Sequence, residues 1–273
     1  MRSMVRAAAL ASLAACASGR PDGARRELPL LRLEARDFAF TGPREVPAGL
    51  TRVRLVNRGP AWHEALVTRL PDGVTPEAYL AGARAGDAFP VGAVDVGGPG
   101  KVAAGDSSDV VIALEPGRYA VVCWSDGHVK AGMIASIVIT AGEARGGAEA
   151  APTPSGEVRL EDFRLAHDSG AYRRGANVLR IRNTGQRPHD ITFYRLEPGR
   201  TARDFGAWYA SRQGPPPAVP VGGMVTLAPG RDGWAELVLP AGRYFAACGT
   251  PEPGPNGTQI HAQMGMAEVF EIR

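Results

Sequence analysis

Three observations predict an all-β chain of two tandem domains, each with one short inserted helix. The sequence repeats itself at about half its length. The repeated parts are short apolar or alternating runs punctuated by Gly and Pro. Only one stretch in each half carries a helical pattern. The 273 residues leave room for two domains of about 110 to 120 residues each.

In chain order, Arg2 and Arg6 followed by the apolar run 7–15 read as an export signal over residues 1–16. The stretch Leu13-Ala14-Ala15-Cys16 resembles a bacterial lipobox, which makes Cys16 the expected lipidation site and the envelope the expected location. Ala17, rather than Asp, follows Cys16, which favours the outer membrane and periplasm. An ordinary secretory signal with an incidental Cys16 is the alternative. Residues 17–27 are polar and read as a tether, and no later stretch is long and apolar enough to span a membrane.

The first domain is expected over 28–140. Arg52-Val53-Arg54-Leu55 alternates as a half-buried strand does, and strands are expected over 64–68, 109–114 and 119–123. Thr75-Pro76 reads as an N-cap with Pro in the first helical position. Turns at 115–117 and 240–242 precede two equivalent strands, each ending in Cys. Residues 141–156 form an Ala/Gly/Pro-rich linker, and the second domain occupies 157–273. Thr201 caps the second helix, whose Phe205, Trp208, Tyr209 and Arg212 are expected to pack on their own sandwich.

The repeat aligns residues 49–57 with 175–183 and His63 with His189. It also aligns Cys123 with Cys248, His128 with His261 and Met133 with Met266. Thiolate, imidazole and thioether together form a soft donor set of the kind that favours copper. Four of the chain's five His fall at these positions, and His167 is assigned no role. The bland reading is that Cys123 and Cys248 are buried small apolar residues and His63 is structural. A disulfide between the two Cys is discounted, because equivalent points of tandem domains rarely approach within bonding distance.

The pattern resembles the cupredoxins, Greek-key β-sandwiches of the plastocyanin and azurin type. The resemblance implies a type 1-like copper site held by His63, Cys123, His128 and Met133. In the second domain it implies His189, Cys248, His261 and Met266, with Met264 as another thioether. That second set departs from the pattern, because twelve residues separate Cys248 from His261. The intervening loop can bulge outward or hold the two apart. Glu64 and Asp190 stand where the family has an Asn that ties the ligand loops, so the surroundings of the metal are expected to differ. Trp62 and Trp124 flank two ligand positions, either as a docking rim or as ordinary packing.

Net charge is +3 and neither half carries a basic stripe, so nucleic acid is not an expected partner. The expected function is an exported, membrane-anchored copper protein for electron transfer or copper handling. Its partner, a redox protein or a copper donor or acceptor, would dock near His128. A metal-free sandwich module is the alternative, in which the ligand atoms would not converge. Catalysis is set aside, because no His-x-His pair is present, Val122 and Ala247 rather than His precede the two Cys, and five His cannot supply a second copper centre.

Overall fold

The structure, a computed structural model, describes residues 28–85, 92–142, 151–254 and 257–273. The export signal, Cys16, the tether and residues 143–150 of the linker lie outside them. Among the described residues no helix is long and apolar enough to cross a membrane.

The first half contributes β1 (Leu30–Arg36), β2 (Ala39–Thr41), β3 (Glu45–Pro47), β4 (Gly49–Asn57) and β5 (Leu66–Arg69). Then follow α1 (Pro76–Ala85), β6 (Val94–Asp95), β7 (Ser107–Leu114), β8 (Gly117–Val122) and β9 (Ile134–Thr140). The second half contributes β10 (Gly156–Glu161), β11 (Arg164–His167), β12 (Gly175–Asn183), β13 (His189–Leu196) and α2 (Ala202–Ser211). It ends with β14 (Ala218–Leu227), β15 (Asp232–Leu239), β16 (Gly242–Ala247), β17 (Pro251–Gly254), β18 (Gly257–Ile260) and β19 (Ala267–Ile272). The last residue of the Ala/Gly/Pro-rich stretch, Gly156, is already the first of β10.

Alternation works as physical chemistry demands. In β4, Val53 and Leu55 are fully buried, while Arg52 and Arg54 point outward and pair with Glu236 and Asp109. Thr75 Oγ1 accepts the Ala78 amide at 3.1 Å to start α1, and Thr201 makes a reciprocal capping box with Asp204 to start α2. The Tyr119 hydroxyl donates to the Glu115 carbonyl at 2.9 Å, and the Tyr244 hydroxyl to the Pro240 carbonyl at 2.8 Å. These equivalent bonds fix the turns that lead into the two Cys strands.

The halves do not stand apart as separate sandwiches. One layer is a continuous eight-stranded sheet ordered β11-β10-β12-β15-β7-β4-β1-β2, with β7 and β15 pairing antiparallel across the seam. The other layer holds β3-β9-β8-β5-β6 and β14-β13-β16-β19. Residues 95–102 join these two sheets. On one side the Val67 amide donates to Gly97 at 2.9 Å and the Val102 amide to His63 at 2.9 Å. On the other the Val225 amide donates to Gly98 at 3.0 Å and the Gly222 amide to Lys101 at 3.0 Å. The strand expected over 64–68 therefore starts late, because His63 and Ala65 pair with this joining segment instead.

The seam is built from a repeated Val-Gly-Gly, at residues 96–98 and 221–223. A β-carbon on Gly98 would lie 2.0 Å from the Ala65 carbonyl oxygen, and one on Gly223 2.0 Å from that of Ile191. Only glycine permits so close an approach of strands. One hydrophobic core runs through both halves, with Val96, Ile112, Met224 and Leu227 at the seam.

Helix α2 corrects its expected role. Phe205 does pack on its own sandwich, stacking near Tyr194 and Phe245. Trp208, however, packs against Trp62 of the first half at 5.3 Å between ring centroids. Arg212 lies over the Trp208 and Tyr209 rings and pairs with Asp126 of the first half. Aromatic residues on a short helix served two surfaces, and periodicity identifies only one.

Candidate metal centres

Each candidate centre is assembled by the same backbone devices. At the end of β4 the buried Asn57 side chain donates to the Ala61 carbonyl at 2.7 Å and accepts the Gly59 amide at 2.9 Å. Asn183, at the end of β12, does the same with Arg187 at 2.7 Å and Gly185 at 3.0 Å. These loops deliver His63 and His189. Cys123 follows β8 and Cys248 follows β16. The Cys-to-Met loops close on themselves, with the Met133 amide donating to His128 and the Met266 amide to His261, both at 3.0 Å. The Cys123 amide donates to Met133 at 3.3 Å, and the Cys248 amide to Met266 at 3.0 Å.

In the first half, Cys123 Sγ lies 3.7 Å from His63 Nδ1 and 3.4 Å from His128 Nδ1. In the second, Cys248 Sγ lies 3.9 Å from His189 Nδ1 and 3.5 Å from His261 Nδ1, and the two Nδ1 atoms are 2.9 Å apart. All six side chains are buried, and each set of three donor atoms falls within 4.8 Å. The long loop of the second half therefore does not separate His261 from Cys248: its extra residues leave the centre as the β17–β18 hairpin. Met133 and Met266 are fully buried, whereas Met264 is 37 % exposed and faces outward. Both thiols are free.

The donors fit a metal ion. With bonds of about 2.05 Å to nitrogen and 2.3 Å to sulfur, a trigonal centre places sulfur and nitrogen about 3.8 Å apart, close to the sulfur–nitrogen separations here; the two Nδ1 atoms of the second half, at 2.9 Å, would have to move apart by roughly 0.6 Å. The hydrogen bonds add a second argument. His189 Nε2 meets Asp162 Oδ1 at 2.9 Å and His261 Nε2 meets Glu252 Oε2 at 3.2 Å. Those carboxylates draw each ring's proton to Nε2, so two Nδ1 lone pairs face each other beside a sulfur. A cation between them satisfies all three donors. Two imidazoles, a thiolate and a buried thioether suit copper.

In the metal-free protein burial disfavours the charged forms of both Cys and of His128 and His189. Burial, reinforced by the Glu64 charge, pushes the Cys123 thiol up to about 12. Burial and then Asp190 raise Cys248 as well. Burial lowers His128 and His189, which leaves both imidazoles unprotonated at neutral pH with lone pairs available. A bound cation reverses the thiol's preference, releasing its proton.

The surrounding residues were the part that sequence reasoning missed. An Asp-Phe dipeptide between the first two strands of each half touches both imidazoles of its centre. Asp37 Oδ1 meets His63 Nε2 at 2.7 Å, and Phe38 stands edge-on to His128 at 5.2 Å. Asp162 meets His189, and Phe163 stands edge-on to His261 at 5.2 Å. The signal was present, since Asp37-Phe38 and Asp162-Phe163 repeat at the same offset as the Cys residues. Asp190 does tie the ligand loops despite replacing Asn: its Oδ1 accepts the Thr250 amide at 2.9 Å and hydroxyl at 2.8 Å, and the Cys248 thiol at 3.1 Å. Glu64 instead pairs with Lys101 at 3.8 Å in the interior between the halves. Trp62 is committed to the contact with Trp208 and Tyr194, and Trp124 packs against the apolar cluster that includes Tyr79 and Val129.

No family model matches the chain, and no curated protein matches it. Among solved structures it is similar to a reduced auracyanin from Roseiflexus castenholzii, at 17 % identity over 41 % of this chain and 97 % of that one, with a TM-score of 0.30. It is also similar to a multicopper oxidase, at 13 % identity over 94 % of this chain and 92 % of that one, with a TM-score of 0.28. A third is the copper nitrite reductase of Nitrosomonas europaea, at 13 % identity over 89 % and 93 % of the two chains, with a TM-score of 0.26. The fold is cupredoxin-like. The exclusion of catalysis is corrected: copper enzymes stand among the structures matched along most of the chain. The count of His in one chain was too narrow a premise, since a second centre can draw donors from another copy or from side chains other than His.

Proposed function

We propose that this chain is a two-centre copper protein of the cell envelope that carries electrons or handles copper. One observation carries the reading: in both halves a buried Cys sulfur and two imidazole Nδ1 atoms converge, beside a buried Met whose backbone is hydrogen-bonded to that Cys and to the second His. Convergence runs against the metal-free alternative, which expects the donors apart. Export and lipid attachment at Cys16 rest on the amino-terminal sequence alone.

The ligand roles follow from the contacts. His63, Cys123 and His128 would hold copper in the first half with Met133 as the weak fourth donor; His189, Cys248, His261 and Met266 would do so in the second. Copper held there supplies one-electron chemistry. The chain's own contribution is rigidity. Asp37 and Asp162 fix the rings of His63 and His189, and the closed Cys-to-Met loops resist rearrangement when the charge of the centre changes. Phe38, 47 % exposed beside His128, supplies the apolar surface on which a redox partner or copper donor docks.

The test is the visible spectrum and metal count of the fragment from Ser18 onward, reduced, loaded with Cu(II) and washed. The expected result is two coppers per chain and an intense thiolate-to-copper band that falls by about half in Cys123→Ser and by about half in Cys248→Ser. Tightly bound copper without that band favours handling over electron transfer. A chain that retains no copper overturns the reading.

A further inference from the structure

The two centres share their donors but not their surroundings. In the first, among the described residues, one carboxylate touches a ligand: Asp37, on His63 at 2.7 Å. The other acids near that centre each face a cation, Glu64 with Lys101 at 3.8 Å and Asp126 with Arg212. In the second centre a carboxylate touches every charged or chargeable donor. Asp162 meets His189 at 2.9 Å, Glu252 meets His261 at 3.2 Å and Asp190 meets Cys248 at 3.1 Å. Among the described residues Arg187 is the one Arg or Lys that pairs with them, at 3.2 Å from Glu252 and 3.6 Å from Asp162.

Access differs in the same sense. No partner among the described residues meets His128 Nε2, and the ring makes an edge-type contact with the exposed Phe38. His261 Nε2 is covered by Glu252 of the β17–β18 hairpin, which has no counterpart in the first half.

Negative charge beside a metal stabilises its more positive state, and does so most strongly where water is excluded. Resting on the copper reading above, we propose that the centres are ordered in potential: the second holds copper more firmly as Cu(II), and the first is the one reduced first and the one that exchanges electrons with the outside. A single electron added to a fully oxidised molecule then resides on the first centre, taking Cu(II) to Cu(I) beside the His128 edge, while the second remains Cu(II). Glu252 acts as a positioning and charge-setting residue for His261.

The experiment is a mediated redox titration of the copper-loaded chain, followed by absorption, with Cys123→Ser and Cys248→Ser assigning each step to its centre. Two separated steps are expected, the second centre being reduced at the lower potential. Glu252→Gln should lower the second centre's preference for Cu(II) over Cu(I) roughly tenfold and leave the first step in place. Arg187→Gln should move the second step in the opposite direction, which a merely structural effect of either change would not produce. Coincident steps, the reverse order or equal movement of both steps overturns the proposal and leaves the copper reading standing; a second centre that holds no copper overturns the proposal and confines the copper reading to the first half. A chain that binds copper in neither half overturns both.

Discussion

Asp95 carries a charge that the interior opposes. It is 6 % exposed, accepts a hydrogen bond from Thr68 at 2.7 Å, and burial raises its pKa to about 6. The folded state therefore binds this proton more tightly than the unfolded chain. Its contribution to stability improves as pH falls from about 6 to about 4, and its penalty is full above 6. Asp95→Asn should gain at most about 3 kcal/mol at pH 7.5, with the gain vanishing near pH 4. Denaturant midpoints of both proteins at the two pH values test this, and a gain independent of pH would refute it. At the centres, Asp37→Asn should weaken metal binding in the first half by roughly ten- to a hundredfold while leaving the circular dichroism unchanged. Competition with a chelator measures it, and unchanged affinity would show that His63 is oriented by packing alone. The His and Cys that converge in each half were legible in the sequence, because a duplicated Cys, His and Met frame narrows the candidate donors to few residues. Asp37 and Asp162 were equally repeated yet passed over: Asp is common, and nothing in the linear order brings the β1–β2 turn near His63.

At the scale of elements, Gly98 of the joining segment and Gly223 of β14 each lie too close to a neighbouring backbone of their own half, at Ala65 and Ile191, to carry a side chain. Gly98→Ala or Gly223→Ala places a methyl inside the radius of a carbonyl oxygen, at 2.0 Å before relaxation. Each should destabilise by about 4 kcal/mol or more, at the extreme of single substitutions. Loss of soluble protein, or a matching drop in the denaturation midpoint, is the expected readout; a change under about 1 kcal/mol would mean that the strands part easily. The strands themselves were readable from alternation and turn chemistry. The partner of each edge was not, because the pattern of β7 or β15 states which face is buried and is silent about which strand lies beside it. The hairpin of the second half was similarly open, since Pro and Gly announce turns without stating where the loop goes.

For the whole molecule, a seam crossed by both layers and by one core predicts a single unfolding transition, where two tandem sandwiches joined by a linker would give two. Calorimetry of the metal-free chain should show one endotherm, with calorimetric and van't Hoff enthalpies in agreement. Two resolved transitions would show that the sandwiches are stronger than the seam between them.

The depth of the two thiols bears on how long the protein survives before it meets its metal. Oxidants and disulfides react with thiolates, and a Cys123 group whose pKa stands at about 12 offers almost none at neutral pH. Each sulfur also sits beneath packed rings, beyond reach of a second protein's cysteine. Burial therefore slows the oxidation of these two thiols, and a bound cation reverses it by drawing out the proton.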